Sequence, residues 1–361
     1  MTAPHHGQAP PTIYDVARRA GVSIATVSRA INNLDGLRPA TRARVMAAVE
    51  ELGYIPDATA RSLSSGAHAT IGFLFISRAH EAFVTGRAAD EDHEALLFDH
   101  DVIRGSMWRA QLEGYTMLIG YVDSRSAAST AREMLGRTDG IVVVDRAVDA
   151  ETLAWLSHRK PVVALAWEHP IADETVLRID NRDSMTELVQ HLTGGHGYRQ
   201  IGVITGPPSS PDAVERLACV HEVARQAGAS VTEMGCGDYS EAFTSRLAEG
   251  WLASGAELPR AVMCMNDQMA TGLLSTLERH AIAVPEQCAV TGFDDIIISR
   301  YLRPALTTVR QPAEELGSLA VMTILDALHG QQSGTRDIVL HTEVMIRQSC
   351  GCPPDHPPPS R

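Results

Sequence analysis

The sequence predicts an all-α helix-turn-helix head joined to an α/β core of two doubly wound parallel sheets. Three observations predict it. Short helical periodicities joined by a glycine turn fill residues 12–56. From Thr70 onward, short apolar runs alternate with helical stretches. The length of 361 residues, at about 100–200 residues per domain, allows two or three domains rather than one.

Thr12 is placed to cap the first helix, and Asp15 to return the bond. Ile13, Val16, Ala17 and Ala20 then recur at the spacing of one apolar helical face. Gly21 breaks this helix, and Ser23 is placed to cap a second one running through Ile31. The turn between them is only Gly21-Val22, the spacing of a helix-turn-helix. A third helix, about Pro39 to Leu52, puts Val45, Val49 and Leu52 on one face before Gly53. Residues 56–66 are too small and polar to build a core. They read as a linker that gains a helical turn only against a partner.

The apolar runs of the core are Ile71–Ile76, Met117–Val122, Gly140–Val144, Val162–Ala166, Ile201–Thr205, Ala261–Met265 and Ala289–Thr291. Buried continuous strands separated by helices mean βαβ units. Ser77 to Asp101 is acidic, carries His80, His93 and His100, and reads as an extended solvated loop. Its histidines lack the compact spacing of a metal site. Residues 353–361 form a Pro-rich tail without regular structure, as do residues 1–11 at the other end.

A hydrophobic content of 44% and a charged content of 21% exclude a mostly disordered chain. No apolar run approaches the roughly 18 residues of a membrane span. Met1 to Pro11 has neither a basic region nor an apolar one, so a cytoplasmic location is expected. The six cysteines, Cys219, Cys236, Cys264, Cys288, Cys350 and Cys352, are then expected as thiols. None forms a CxxC pair, and Cys350 and Cys352 are too close for a bridge or a zinc site alone. No metal or cofactor is assigned. No nucleophile elbow, P-loop or zinc motif marks an enzyme. The net charge of −13 argues at first against nucleic acid, but residues 1–68 hold seven Arg against five acids, +2, leaving −15 for the rest. A mildly basic head on an acidic body suits a small DNA-contacting module. Lys160 is the only lysine, so cationic contacts fall to Arg, whose fork fits phosphate and guanine.

The run TIYDVARRAGVSIATVSRAINN from Thr12, then TRARVMAAVEELGYIP and ARSL, resembles the LacI/GalR family of bacterial transcriptional repressors. So do IDNRD at 179–183, HGYRQIGVITG at 196–206, ER at 215–216, MNDQMATG at 265–272, TGFDDI at 291–296, LTTVRQP at 306–312 and RQSCGC at 347–352. The resemblance covers nearly the whole chain and is weakest from Arg78 to Asp101. It implies a DNA-binding head (12–56), a hinge helix (57–67) and a periplasmic-binding-protein-like core (68–352) that senses a sugar between two lobes. One lobe takes about 68–179 and 312–339, the other about 180–311 and 340–352. It also implies a homodimer on a near-palindromic operator; residues 353–361 show no heptad that would join dimers. A purine- or nucleoside-responsive repressor is the second reading.

In such a head the recognition helix offers its first turn to base edges. Ile24 and Ala25 there can pack on thymine methyls, and Arg29 can fork onto guanine. Ser23, Thr26, Ser28 and Asn32 are short donors suited to phosphate, with Thr12 and Tyr54 as further contacts; Ser23 and Thr26 could instead only cap and pack. The resemblance makes Leu63, flanked by Ala60 and Arg61, a wedge into the minor groove. In the core it implies that Arg216, Asn266, Asp294 and Gln311 line the sugar cleft, with Tyr239 as a stacking platform. Trp167 on the opposite lobe and Asp180 after Ile179 are further candidates, while Asp267 and Asp295 are expected to brace loops. Where some sugar-binding members place a carboxylate after Val162–Leu165, this chain has Ala166.

Overall fold

The computed structural model describes residues 11–31, 36–54, 68–76, 97–123, 125–331 and 336–353. These divide into two compact units, Met1–His68 and Ala69–Arg361. Asn32, Ala60, Arg61 and Leu63 lie outside the described residues, as do the tails 1–10 and 354–361.

The first unit is three helices, α1 (Ile13–Ala20), α2 (Ile24–Ile31) and α3 (Pro39–Leu52). The Asp15 carboxylate accepts from the Thr12 backbone N–H at 2.9 Å and from its hydroxyl at 2.7 Å, which closes the start of α1. The Thr26 N–H donates to Ser23 Oγ at 3.2 Å and starts α2. Val16, Val27 and Val45 are fully buried among Ala17, Ala20, Ala30 and Ala48, and Tyr54 packs on this small core.

In the second unit β1 (Thr70–Ile76) precedes α4 (Leu97–Leu112), β2 (Thr116–Val122), α5 (Ala127–Leu135), β3 (Gly140–Val144), α6 (Ala150–Ser157), β4 (Val162–Leu165) and β5 (Thr175–Ile179). Then α7 (Asn181–Gln190) runs into a π turn, His191–Gly195. It is followed by β6 (Gln200–Thr205), α8 (Pro211–Gln226), β7 (Ser230–Cys236), α9 (Glu241–Ala253), β8 (Ala261–Cys264), α10 (Asp267–Arg279) and β9 (Ala289–Thr291). The last elements are β10 (Thr308–Arg310), α11 (Ala313–Leu328), β11 (Asp337–Leu340) and β12 (Glu343–Met345).

The first sheet has the order β11-β5-β4-β3-β1-β2 and the second β7-β6-β8-β9; neighbours in both are parallel, while β10 and β12 pair antiparallel. Every residue of β3 is buried, as expected of a parallel strand covered on both faces. Alternate side chains feed two apolar clusters: Phe73, Phe75 and Val142 pack with α4 and α11, while Leu74, Ile141 and Val143 pack with α5 and α6. The chain passes between the sheets after Ile179, after Arg310 and after Leu340. Two of these passages are tied together, Asp180 N–H donating to the Leu340 carbonyl at 2.8 Å and the Thr342 hydroxyl to the Asp180 carbonyl at 2.7 Å.

All seven apolar runs read from the sequence are strands. The expected loop from Ser77 to Asp101 is corrected at its end, because residues 97–101 open α4. The Leu97 N–H donates to Gln268 Oε1 of α10 at 2.9 Å, so the start of α4 is held by a partner 171 residues away.

Candidate functional site

Between the lobes lies a cleft lined by Phe98, Asp99, Asp145 and Ala166 on one side. Ser210, Asp212, Arg216, Tyr239, Asn266, Gln268 and Asp294 face them, with Arg178, Ile179 and Gln311 at the crossings. Asp145, Ala166, Tyr239, Asn266, Asp294 and Gln311 lie just beyond carboxyl ends of strands, where doubly wound sheets bind ligands. Four of these residues hold left-handed backbone although none is glycine: Asp145 at φ 46°, Ala166 at 57°, Tyr239 at 72° and Asp294 at 118°. Such conformations cost roughly 1–3 kcal/mol each and gather at binding sites.

Arg216, on α8, is 3% exposed. Its Nε donates to Asn181 Oδ1 and its Nη1 to the Met265 carbonyl, both at 2.8 Å. The guanidinium lies 3.5 Å over the Phe293 ring. Asn181 is itself fixed, its amide donating to Asp212 at 2.9 Å and to Glu215 at 3.0 Å. A buried cation held in this way presents a fixed donor fork to whatever enters the cleft.

Tyr239 donates its hydroxyl to Ser210 Oγ at 2.9 Å, and burial pushes its phenol up to about 12. Its ring lies so close to Gly206 that a side chain there would meet it at 2.4 Å. Asn266 caps α10, accepting from the Met269 N–H at 2.8 Å and donating to the Tyr239 carbonyl at 3.0 Å. Its amide therefore shapes the cleft wall as well as facing it. Asp294 accepts from the Gln311 amide. Burial raises its carboxyl to about 7, and Arg216 and Gln311 only partly offset this.

This gives a pH signature. The cost of ionising Asp294 in the fold is absent below its unfolded value of 3.8, grows through the interval up to about 7, and is fully present above it. Asp294→Asn is therefore expected to gain melting temperature relative to the parent as pH rises from 5 to 8. A difference that stays constant with pH would show that the carboxyl titrates normally.

The remaining candidates fall elsewhere. Asp180 caps α7, accepting from the Asp183 N–H at 3.1 Å, and does not line the cleft. Trp167 does not line this cleft. It is 5% exposed, packs in the apolar cluster with α5 and α6, and sits beside Arg146, whose guanidinium is 5.6 Å from its ring. Asp267 and Asp295 do brace loops, the latter by ion pairs to Arg300, Arg310 and Arg347. Sequence reasoning missed Asp145. It stands directly after β3 and lines the cleft beside Ala166, which follows the neighbouring β4; its signal is a lone acid directly after an unbroken apolar run. Phe98 and Asp99 lie in the stretch that the sequence predicts as a loop, yet they line the cleft from the first turn of α4. Cys350 and Cys352, which lack further ligands in sequence, meet His191 and His196 in space.

In the head, Ser23, Ile24, Ala25 and Arg29 are exposed on α2 while Val27 and Ala30 are buried beneath them. Thr26 and Ser28 are half-buried, and the Thr26 hydroxyl lies 2.9 Å from Ser23 Oγ. Thr12 is exposed at the start of α1, whereas Tyr54 packs on the head core. One helix thus presents two apolar side chains in its first turn and an arginine one turn on.

Among the described residues no helix is long and apolar enough to cross a membrane. The family model described as bacterial regulatory proteins, lacI family, matches residues 12–57, and that of a periplasmic-binding-protein-like domain matches residues 189–350. The chain is 30% identical over 349 residues to the HTH-type transcriptional repressor PurR of Photobacterium profundum, covering 94% of this chain and 98% of that one. Among solved structures it is similar to a lac repressor dimer bound to operator and the anti-inducer ONPF, with a TM-score of 0.78, 26% identity, and coverage of 95% of this chain and 99% of that chain. It is also similar to the transcriptional regulator CelR in complex with cellobiose, with a TM-score of 0.66, 25% identity, and coverage of 94% and 99%. A helix-turn-helix followed by a two-lobed cleft, matched over nearly all of its length, places this chain in the lacI family of bacterial regulatory proteins.

Proposed function

We propose that this DNA-binding repressor reads a near-palindromic operator as a homodimer and releases or tightens it when a small sugar occupies the cleft. The observation that carries the sugar reading is the donor and acceptor set around one cavity: the Arg216 fork, the carboxylates of Asp99, Asp145 and Asp294, and the Ser210 hydroxyl, with the rings of Phe98 and Tyr239 beside them. Vicinal hydroxyls donate and accept together, so carboxylates and a guanidinium side by side suit them, while aromatic faces cover the C–H side of a sugar ring. A purine or nucleoside is the second reading, favoured by the same two rings. The chain acts by binding alone on this reading, and a candidate sugar incubated with it is expected to remain intact. A dimer accounts for the exposed Met107, Trp108 and Leu112 on α4 and Ile119 and Tyr121 on β2, an apolar set that a second copy would cover. The protein works in the cytoplasm, where its operator is.

A thermal-shift screen of sugars and nucleosides tests the effector. A sugar is expected to raise the melting temperature, and a response to nucleosides alone would replace the first reading by the second. Sedimentation tests the dimer. On DNA, Arg29→Ala is expected to lose about 1–3 kcal/mol of discrimination at one base pair, as for a guanine fork. Leu63→Ala is expected to weaken operator binding more than about tenfold with little change in sugar binding, as for a lost wedge. Operator affinities unchanged in both variants would remove the assignment of this face.

A further inference from the structure

We propose that His191, His196, Cys350 and Cys352 form a structural zinc site that clamps the end of the chain onto the second lobe. One ligand atom from each lies within 4.8 Å of all the others. The separations are 3.1 Å between the two Nε2 atoms, 3.4 Å from His191 Nε2 to Cys350 Sγ, and 3.6 Å and 3.5 Å from Cys352 Sγ to the Nε2 atoms of His191 and His196. A tetrahedral zinc ion with Zn–N of about 2.0–2.1 Å and Zn–S of about 2.3 Å has N···N edges of about 3.3 Å and N···S edges of about 3.5 Å. The four side chains thus already stand near the corners of such a site.

Local backbone features bring them there. His191 opens the π turn that follows α7, and the His196 N–H closes it by donating to the His191 carbonyl at 3.2 Å. An i→i+5 turn places these two residues one above the other, and π turns of this kind concentrate at functional sites. Gly351 separates the cysteines at φ 108°, in the left-handed region. A side chain there would meet Tyr198 Oη at 3.1 Å and His196 Cε1 at 3.2 Å, so the glycine lets the cysteine turn close against the histidines.

The surroundings hold the ligands in place. The Tyr198 hydroxyl donates to the Cys350 carbonyl at 3.0 Å, and its ring stacks on His196 with centroids 5.3 Å apart. Outer contacts of this kind orient metal ligands. Cys350 is fully buried and Cys352 half-buried. Two thiolates and two neutral imidazoles would neutralise one zinc ion, and a tetrahedral set of two sulfurs and two nitrogens selects zinc over oxygen-seeking cations. The clamp would close a loop of 159 residues between His191 and Cys350. It would also fix the turn whose Ser349 accepts from the Thr307 N–H at 2.8 Å and donates to the Val290 carbonyl at 2.6 Å, next to β10 and a passage between lobes.

Full-length protein without a metal-binding tag, purified under reducing conditions, tests this. Elemental analysis is expected to find one zinc per chain. After removal of the metal by a chelator, cobalt(II) should give tetrahedral d–d bands and a thiolate-to-cobalt charge-transfer band, which zinc displaces. Cys352→Ser should lose that zinc or bind it at least tenfold more weakly, and His196→Gln likewise. The parent's cobalt spectrum keeps the test valid if either variant misfolds. Parent protein that takes up no stoichiometric zinc, an octahedral cobalt spectrum, or full zinc retention in Cys352→Ser would overturn the proposal.

Discussion

Replacing Arg216 with alanine is expected to weaken the response to the effector strongly while leaving the head able to bind its operator. The guanidinium is 3% exposed and takes part in four interactions at once: the bond to Asn181, the bond to the Met265 carbonyl, the stack on Phe293, and an ion pair to Asp212 at 3.8 Å. A hydrogen bond from a charged donor to a sugar hydroxyl contributes about 1.5–3 kcal/mol. At about 1.4 kcal/mol per tenfold, ligand affinity should fall by roughly 10-fold to 100-fold. Asp294 would lose the cation that holds its carboxyl down, so less of it would be ionised at neutral pH. Titration calorimetry with a sugar that stabilises the parent reads the loss, and gel-shift measurements read retained operator binding. Arg216→Lys separates charge from shape: it keeps the cation but not the planar fork, and should fall between the parent and the alanine variant. Sugar affinity unchanged in Arg216→Ala would remove this residue from the cleft chemistry.

Much of the fold was legible because its signals are local. The helix-turn-helix follows from Gly21 and an i, i+3, i+4, i+7 face, and seven strands follow from unbroken apolar runs. The strands without such a run, β5, β7, β10, β11 and β12, are short or broken by polar residues. Arg178 in β5 is paired with Asp337 of β11 at 2.8 Å, which makes a charged residue acceptable in a strand only once its neighbour is known. The cleft divides in the same way. Arg216, Asn266, Asp294 and Gln311 sit inside motifs that sequence can carry, whereas Tyr239 rests on the resemblance alone. Asp145 and Phe98 become cleft residues through the left-handed turn after β3 and the tertiary bond that starts α4. His191 and Cys350 meet only because the fold brings together residues 159 apart.

Asp267→Ala is expected to destabilise the second lobe more than any single change at the cleft surface. The tandem pairs Asn266-Asp267 and Asp294-Asp295 each place one side chain against the cleft and the other inside the lobe. Asp267 is fully buried. It accepts from the Ile296 N–H at 3.0 Å, from the Ser299 hydroxyl at 2.5 Å and from the Thr308 hydroxyl. Its own N–H donates to the Phe293 carbonyl at 2.8 Å. One carboxylate therefore joins the start of α10, the loop that carries Phe293 and Asp294, and β10. Burial first, then the neighbouring Asp294, hold this carboxyl well above the usual carboxylate range, so its ionisation already opposes folding. Alanine removes that cost but leaves three buried donors unpaired, each worth about 1–3 kcal/mol. The donors win, and the net loss should be about 3–5 kcal/mol, a large part of the roughly 5–15 kcal/mol that stabilises a typical domain. Asp267→Asn keeps an acceptor of the same shape and no charge, so it should cost much less. Urea unfolding of the two variants distinguishes these contributions: equal losses would mean that packing, rather than the three accepted bonds, holds the loop in place beneath the cleft.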